Sequence, residues 1–287
     1  MTETNNLELR KLTQEGLQTL VTWAAAEGWN PGLHDHEVFW ETDPEGFYGF
    51  HAGETLIAGG AVVSYHQTFG FMGLFIVHPE HRGQGIGRKL WHLRRDLLIG
   101  RLDHGAAIGM DGVVAMQPFY KKGGFRIAFK DERYERMGSE FTVSHQITPI
   151  NVHDHEQLIG YDTDCVGYGR QVFLRSWLSM PNSRGFKFIR DNQIWGYAVV
   201  RKAIEGYKIG PLFADTSEVA EELYRACLNA SIGQPVFLDI PVINKGAVEL
   251  VGQYGAKYVF ECARMYLGEA PQSSISKVFG ITTFELG

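Results

Sequence analysis

Cysteine is scarce, with three in 287 residues, at positions 165, 227 and 262. An odd number without metal-ligand spacing predicts reduced thiols packed as small apolar groups, not a disulfide framework or a ligand set. A basic excess is also lacking. Against 27 lysines and arginines stand 33 aspartates and glutamates, and the net charge of −6 argues against a nucleic-acid partner. No apolar run approaches the roughly 18 residues that a membrane helix needs, so no membrane partner is expected. The opening MTETNNLELR lacks the basic, apolar and small-residue sections of an export signal, and a cytoplasmic location is expected. His34-Asp35-His36 and the pair His153 and His155 alternate potential ligands without a third partner, which predicts solvated loops and no metal. What is present is 44% hydrophobic residues and 34 glycines. That composition is globular, and the length suits two domains of roughly 140 residues each.

Strand-like alternation over Leu7 to Arg10 is followed by a helical pattern from Thr13 to Gly28 and then a loop. Residues 47 to 65 read as two strands joined by a turn at Ala52-Gly53-Glu54, and Phe69 to Val77 as a third strand. Leu90, Leu93, Leu97 and Leu98 recur at helical spacing up to Gly100. A buried strand at Ala106 to Met110, a short helix at Met116 to Lys122 and a strand at Arg126 to Arg136 complete the first half.

Between the third strand and the long helix lies VHPEHRGQGIGR, residues 77 to 88. Gly83, Gly85 and Gly87 remove side chains where backbone N–H groups can converge on an anion, and the helix that follows presents its positive end. The helix dipole contributes only about 0.3–1 kcal/mol, so N–H bonds and the cations Arg82 and Arg88 must supply the rest. A diphosphate fits that chemistry. The loop has neither the Gly-Lys-Ser/Thr ending of a P-loop nor the parallel-strand setting of a Rossmann turn.

Arg82-Gly83-Gln84-Gly85-Ile86-Gly87, preceded by an apolar strand, resembles the Arg/Gln-x-x-Gly-x-Gly signature of the GNAT-type N-acetyltransferases, and FYKKGGF at 119 to 125 resembles that family's tyrosine helix with its Gly-Phe corner. The resemblance covers residues 7 to 137 and implies acetyl-CoA as donor and a primary amine of a small molecule as acceptor, joined by direct attack. It assigns pantetheine contacts to Phe75, Ile76 and Val77, and the pyrophosphate to Arg82, Gly83, Gln84, Gly85, Ile86, Gly87 and Arg88. Tyr120 matches the tyrosine that protonates the leaving thiolate. The family's Asn and Ala, seven and four residues before that tyrosine, are here Val113 and Met116, and the fourth strand carries no carboxylate base. Asp111 is therefore a candidate base or ammonium anchor, or else part of an Asp-Gly turn. His66 and His78 are further base candidates. Trp29 and Asn30, in the loop that lines the acceptor side in the family, either contact the acceptor or anchor a tight turn.

Residues 185 to 200 and 208 to 215 repeat the turn-linked strand pair and the fourth strand, followed by a helix at Ser217 to Asn229 and a strand at Val236 to Ile240. Where a glycine loop would stand there is only Asp215-Thr216-Ser217, and the tyrosine position is Val251. The expected fold is α+β, two tandem GNAT-like domains over 1–137 and 138–287, each a mixed, mostly antiparallel sheet flanked by helices, with the second a degenerate copy. That copy would wall off the acceptor cleft and make the chain a pseudo-dimeric monomer or a weak homodimer. The alternative function is a non-catalytic acyl-CoA sensor.

Overall fold

The computed structural model describes residues 7–287. The first half runs β1 (Leu7–Lys11), α1 (Gln14–Ala26), α2 (Asp35–Thr42), β2 (Phe47–Ala52), β3 (Thr55–Tyr65), β4 (Phe69–Val77), α3 (Ile86–Gly100), β5 (Ala107–Val113), α4 (Gln117–Lys122) and β6 (Arg126–Met137). The second runs β7 (Ile147–Pro149), α5 (His155–Val166), α6 (Gln171–Ser179), β8 (Ser183–Arg190), β9 (Gln193–Lys202), β10 (Tyr207–Ala214), α7 (Ser217–Asn229), β11 (Pro235–Pro241), α8 (Lys245–Gln253), β12 (Lys257–Leu267) and β13 (Val278–Gly280). All thirteen strands belong to one mixed, mostly antiparallel sheet flanked by helices. No helix among the described residues is long and apolar enough to cross a membrane.

The strand order, β1-β2-β3-β4-β5-β12-β6-β11-β10-β9-β8-β7, shows an exchange between the halves. β12 of the second half enters between β5 and β6, with Leu267 opposite Ile108 and Cys262 opposite Val113. β6 of the first half in turn pairs with β11 along seven residues, from Met137 opposite Pro235 to Asp131 opposite Pro241. Each half thus completes its sheet with a strand of the other, and backbone hydrogen bonds run without a break across the junction.

Where a loop was expected after α1, the chain forms α2, and Asp35 is buried and not solvated. Its carboxylate accepts from Arg201 on β9 at 2.9 and 3.3 Å and from the Gly32 backbone N–H at 2.8 Å. Arg201 holds the carboxyl below the usual range in spite of a burial that pushes it up. His34 is spent on Glu37 and Asn182, and the first residue of α5, His155, is buried. The three cysteines are free and buried.

α3 shows why one of its arginines is structural. Ile86, Leu90, Trp91, Arg94 and Leu98 form its buried face, so Arg94 replaces an apolar residue in an i, i+4 stripe while Leu93 is exposed.

Candidate active site

β4 pairs with β5 only from Phe69 to Phe71, opposite Ala107 to Gly109. Beyond that point the two strands part, and the backbone of β4 from Met72 to Val77 borders a cavity of about 680 Å³. A bulge accompanies the parting: the register against β3 shifts between Gly59 and Ala61, and Leu74 takes a left-handed φ of 48°. A non-glycine residue there is strained and persists only where its surroundings enforce it. Arg94 is one enforcing group, because its buried guanidinium donates to the Gly73 carbonyl at 2.8 Å and to the Ala61 carbonyl. It also lies 5.2 Å over the Phe75 ring, and burial lowers its pKa to about 9.

The glycine loop meets this cavity through Arg82, Gly87 and Arg88, whereas Gly83, Gln84 and Gly85 are not among its lining residues. Gly83 and Gly85 have φ of +75° and +78°, and a Cβ at either would meet nothing within 4 Å. The requirement for glycine is therefore conformational, and the space in front of these residues is open. Gly85 is the N-cap of α3, with no side-chain cap bond, so the first-turn N–H groups have no internal partner. Its counterpart in the second half is closed instead: Thr216 caps α7, and Asn244 caps α8 through Gly246 and Ala247. Gly87 and Arg88 line the cavity with Arg82, but Arg82 is already engaged, donating to the Val77 carbonyl at 2.9 Å and to Glu27 at 2.5 Å. Phe75, Ile76 and Val77 border the cavity, whereas Ile86 packs into the core and the Gln84 amide reaches back to the Glu80 carbonyl.

Tyr120, on α4, faces the same cavity from the β5 side, between Val113 and Met116 of the approach and the ring of Trp91, 6.1 Å away. No protein group among the described residues hydrogen-bonds its hydroxyl. Burial raises its pKa to about 12, so the phenol remains protonated at neutral pH.

The acceptor-side candidates separate. Trp29 lines the cavity, and its carbonyl accepts from Arg133 at 2.8 Å. Asn30 instead spends its amide on Glu205, donating to its carbonyl at 2.9 Å and accepting from its N–H at 2.8 Å, and so clasps the β9–β10 turn. Asp111 lines the cavity, but both its oxygens are taken by Arg264 of β12, at 2.7 and 2.9 Å. Burial pushes the Asp111 carboxyl up and Arg264 opposes it. A carboxylate held in a bidentate pair is not free to take a proton from an amine, and Asp111 serves to lock the exchanged strand to β5. His66 and His78 are not among the lining residues. Sequence reasoning missed the residues that come from the other half: Phe260 and Cys262 on β12, and Phe284 and Glu285 after β13.

The second half contains the counterpart of the splayed strands, closed by its own chain. β10 pairs with β11 only from Tyr207 to Ile209, opposite Val236 to Leu238. Into the gap that follows comes β13, with Gly280 opposite Leu212 and Val278 opposite Phe213, while the Ile281 N–H donates to the Asp239 carbonyl at 2.8 Å. Asn244 secures this insertion by donating to the Val278 carbonyl at 2.8 Å. At the α7 terminus Asp215 is bound by Lys277 and Tyr161, at 2.8 and 3.0 Å.

Comparison with known proteins agrees with this duplicated arrangement. One model of the acetyltransferase (GNAT) domain matches residues 37–127 and a second matches residues 158–280. The chain is 29% identical over 275 residues to a holothin acyltransferase of Pseudoalteromonas sp. (strain SANK 73390), covering 95% of this chain and 92% of that one. It is 25% identical over 242 residues, 82% of each chain, to an uncharacterized N-acetyltransferase of Bacillus subtilis (strain 168). A crystal structure of a provisionally described acetyltransferase of Pyrococcus horikoshii superposes with a TM-score of 0.83 at 22% identity, over 100% of this chain and 98% of that one. A tandem GNAT protein from the clavulanic acid biosynthesis pathway does so with a TM-score of 0.63 at 13% identity, over 92% and 98%. The chain belongs to the GNAT acetyltransferase family and carries two of its domains in tandem.

Proposed function

We propose that the chain transfers an acetyl group from acetyl-CoA to a primary amine of a small molecule by direct attack, with the donor bound in the first half alone. One observation carries the reading: the splayed β4, the uncapped glycine turn of α3 and Tyr120 border one cavity. The residues suit the donor. N–H groups at Gly85 and the first turn of α3, together with Arg88, offer an anion site for the diphosphate. The unpaired edge of β4 offers backbone groups to the amide-bearing arm. The bulge at Leu74 brings a β4 N–H to the point where the thioester carbonyl would be polarised.

Tyr120 then donates a hydrogen bond to the departing sulfur. Acyl transfer by a homologue is consistent with this assignment, since the relative from Pseudoalteromonas is a holothin acyltransferase. The test is release of free thiol from acetyl-CoA across a panel of primary amines, with donor affinity measured by calorimetry. Turnover on any amine supports the enzyme. Tight coenzyme A binding without turnover on any of them refutes it in favour of an acyl-CoA sensor.

A further inference from the structure

Three acidic residues line the cavity, and two are neutralised: Glu27 by Arg82 and Asp111 by Arg264. The third, Glu285, has no lysine, arginine or histidine nitrogen within 4.0 Å among the described residues. Among the described residues its carboxylate accepts a hydrogen bond from the Thr283 hydroxyl alone, while the buried cations Arg133 and Lys208 act on it at longer range. The tail that carries it presses against the bulged strand, since a Cβ on Gly73 would lie 1.7 Å from the Glu285 carbonyl oxygen. Glu285 therefore stands one residue from Leu74, at the place where β4 would present the thioester, and this strand has no carboxylate of its own.

The neighbouring wall is aromatic and stiff. Phe260 of the exchanged strand and Phe284 of the tail have ring centroids 5.7 Å apart. The Arg133 guanidinium lies 4.6 Å from the first ring and 5.5 Å from the second. That arginine is fixed by Asp239 at 2.6 and 2.7 Å and donates to the Trp29 carbonyl at 2.8 Å. One buried cation thus ties the positions of three aromatic residues that border the cavity. A flat uncharged ring can lie against such a wall, whereas a polyamine or sugar would leave its own polar groups unpaired there.

We propose that Glu285 is the base that takes the proton from the acceptor, and that Trp29, Phe260 and Phe284 form a slot for a flat ring bearing the reacting amine. The proposal rests on the acyl-transfer reading above. The amine lone pair forms the N–C bond as the carbonyl π pair moves onto oxygen. Glu285 takes one N–H proton. The oxygen pair re-forms the carbonyl, and the C–S pair leaves on sulfur as a thiolate under the Tyr120 hydrogen bond. Glu285 then releases its proton to solvent, so amine and thioester give amide, thiolate and one proton.

The test compares wild type, Glu285→Gln and Glu285→Ala with acetyl-CoA and benzylamine-type, heteroaryl and polyamine acceptors, in single turnover. Both variants are expected to lose roughly 10²–10³-fold in rate with donor affinity unchanged by calorimetry. Added formate should restore Glu285→Ala in a saturable way and leave Glu285→Gln unrestored, a response that a merely structural carboxylate does not give. Ring-bearing amines should exceed spermidine at least tenfold in kcat/KM. Glu285→Gln keeps the side-chain size and the Thr283 contact, so a poorly folded alanine variant leaves a decisive measurement. An active wild type with undiminished Glu285→Gln overturns the base assignment, as does a folded, donor-binding alanine variant that formate does not rescue. Preference for spermidine overturns the slot. Wild-type inactivity on every amine overturns the acyl-transfer reading, and this inference with it.

Discussion

Replacing Tyr120 by phenylalanine removes one oxygen from a ring that is otherwise held by packing. Its hydroxyl has no protein partner among the described residues, so none of these is orphaned, and the stacking on Trp91 remains. Stability should therefore change by less than about 1 kcal/mol. The catalytic cost follows from the phenol's acidity. Burial raises its pKa to about 12, whereas an ordinary thiol titrates near about 8.5. Full proton transfer to a departing thiolate would then run uphill by about 5 kcal/mol. A hydrogen bond to the developing charge needs no such transfer and contributes about 1.5–3 kcal/mol. Tyr120→Phe is thus expected to slow acyl transfer roughly 10- to 150-fold. The assay is a rapid-quench single turnover near neutral pH, which separates chemistry from product release. A variant within threefold of wild type would remove Tyr120 from the reaction. A loss of about 10⁴-fold or more would refute the hydrogen-bond account and restore complete proton donation.

Coenzyme A should saturate at one molecule per chain in a calorimetric titration, because β13 occupies the strand gap of the second half; a stoichiometry of two would contradict that. Asp111→Asn alone leaves Arg264 buried without its partner and should cost about 3–5 kcal/mol in denaturant unfolding. Asp111→Leu combined with Arg264→Met should recover most of that and retain turnover, whereas a folded but inactive double variant would reinstate Asp111 as a catalytic group. Lys208 is buried, its ammonium has no hydrogen-bond partner among the described residues, and burial lowers its pKa to about 8. Between that value and the unfolded one, near about 10.4, the unfolded chain binds more protons, so stability rises with pH. Wild type should gain about 3 kcal/mol relative to Lys208→Met between pH 8 and about 10.5, and unfolding curves that keep a constant separation over that range would refute this.

The signals legible in the sequence were local. Alternation and turn residues placed the strand pairs of both halves, and Ser217 to Asn229 is the helix expected from its pattern. The glycine loop was legible because glycine at Gly83 and Gly85 answers a backbone demand that φ confirms. Arg94 was hidden because a charge at an i, i+4 position of an apolar stripe reads as solvated, and only the bulge it holds explains its burial. Asp35 was hidden in the same way, since its partner Arg201 lies 166 residues away. Pairing between distant strands has no local signature at all. β6 and β12 have ordinary strand patterns, and whether each returns to its own half or crosses is decided by register over many residues.

That exchange explains how one half came to complete the other's cavity. Once β12 crosses to lie against β5, the chain that follows it returns along the junction and passes both strand gaps. Its first part, β13, fills the gap in the second half with backbone hydrogen bonds. Its last part brings Phe284 and Glu285 against β4 in the first. The two effects are mechanically linked, because the anchor at Val278 to Gly280 leaves only three residues before Phe284 and so limits how far Glu285 can stray from Gly73. Closure of one site therefore positions the carboxylate of the other. Loosening β13 at Asn244, which holds the Val278 carbonyl, would act on the first cavity through the tail without touching any residue that lines it.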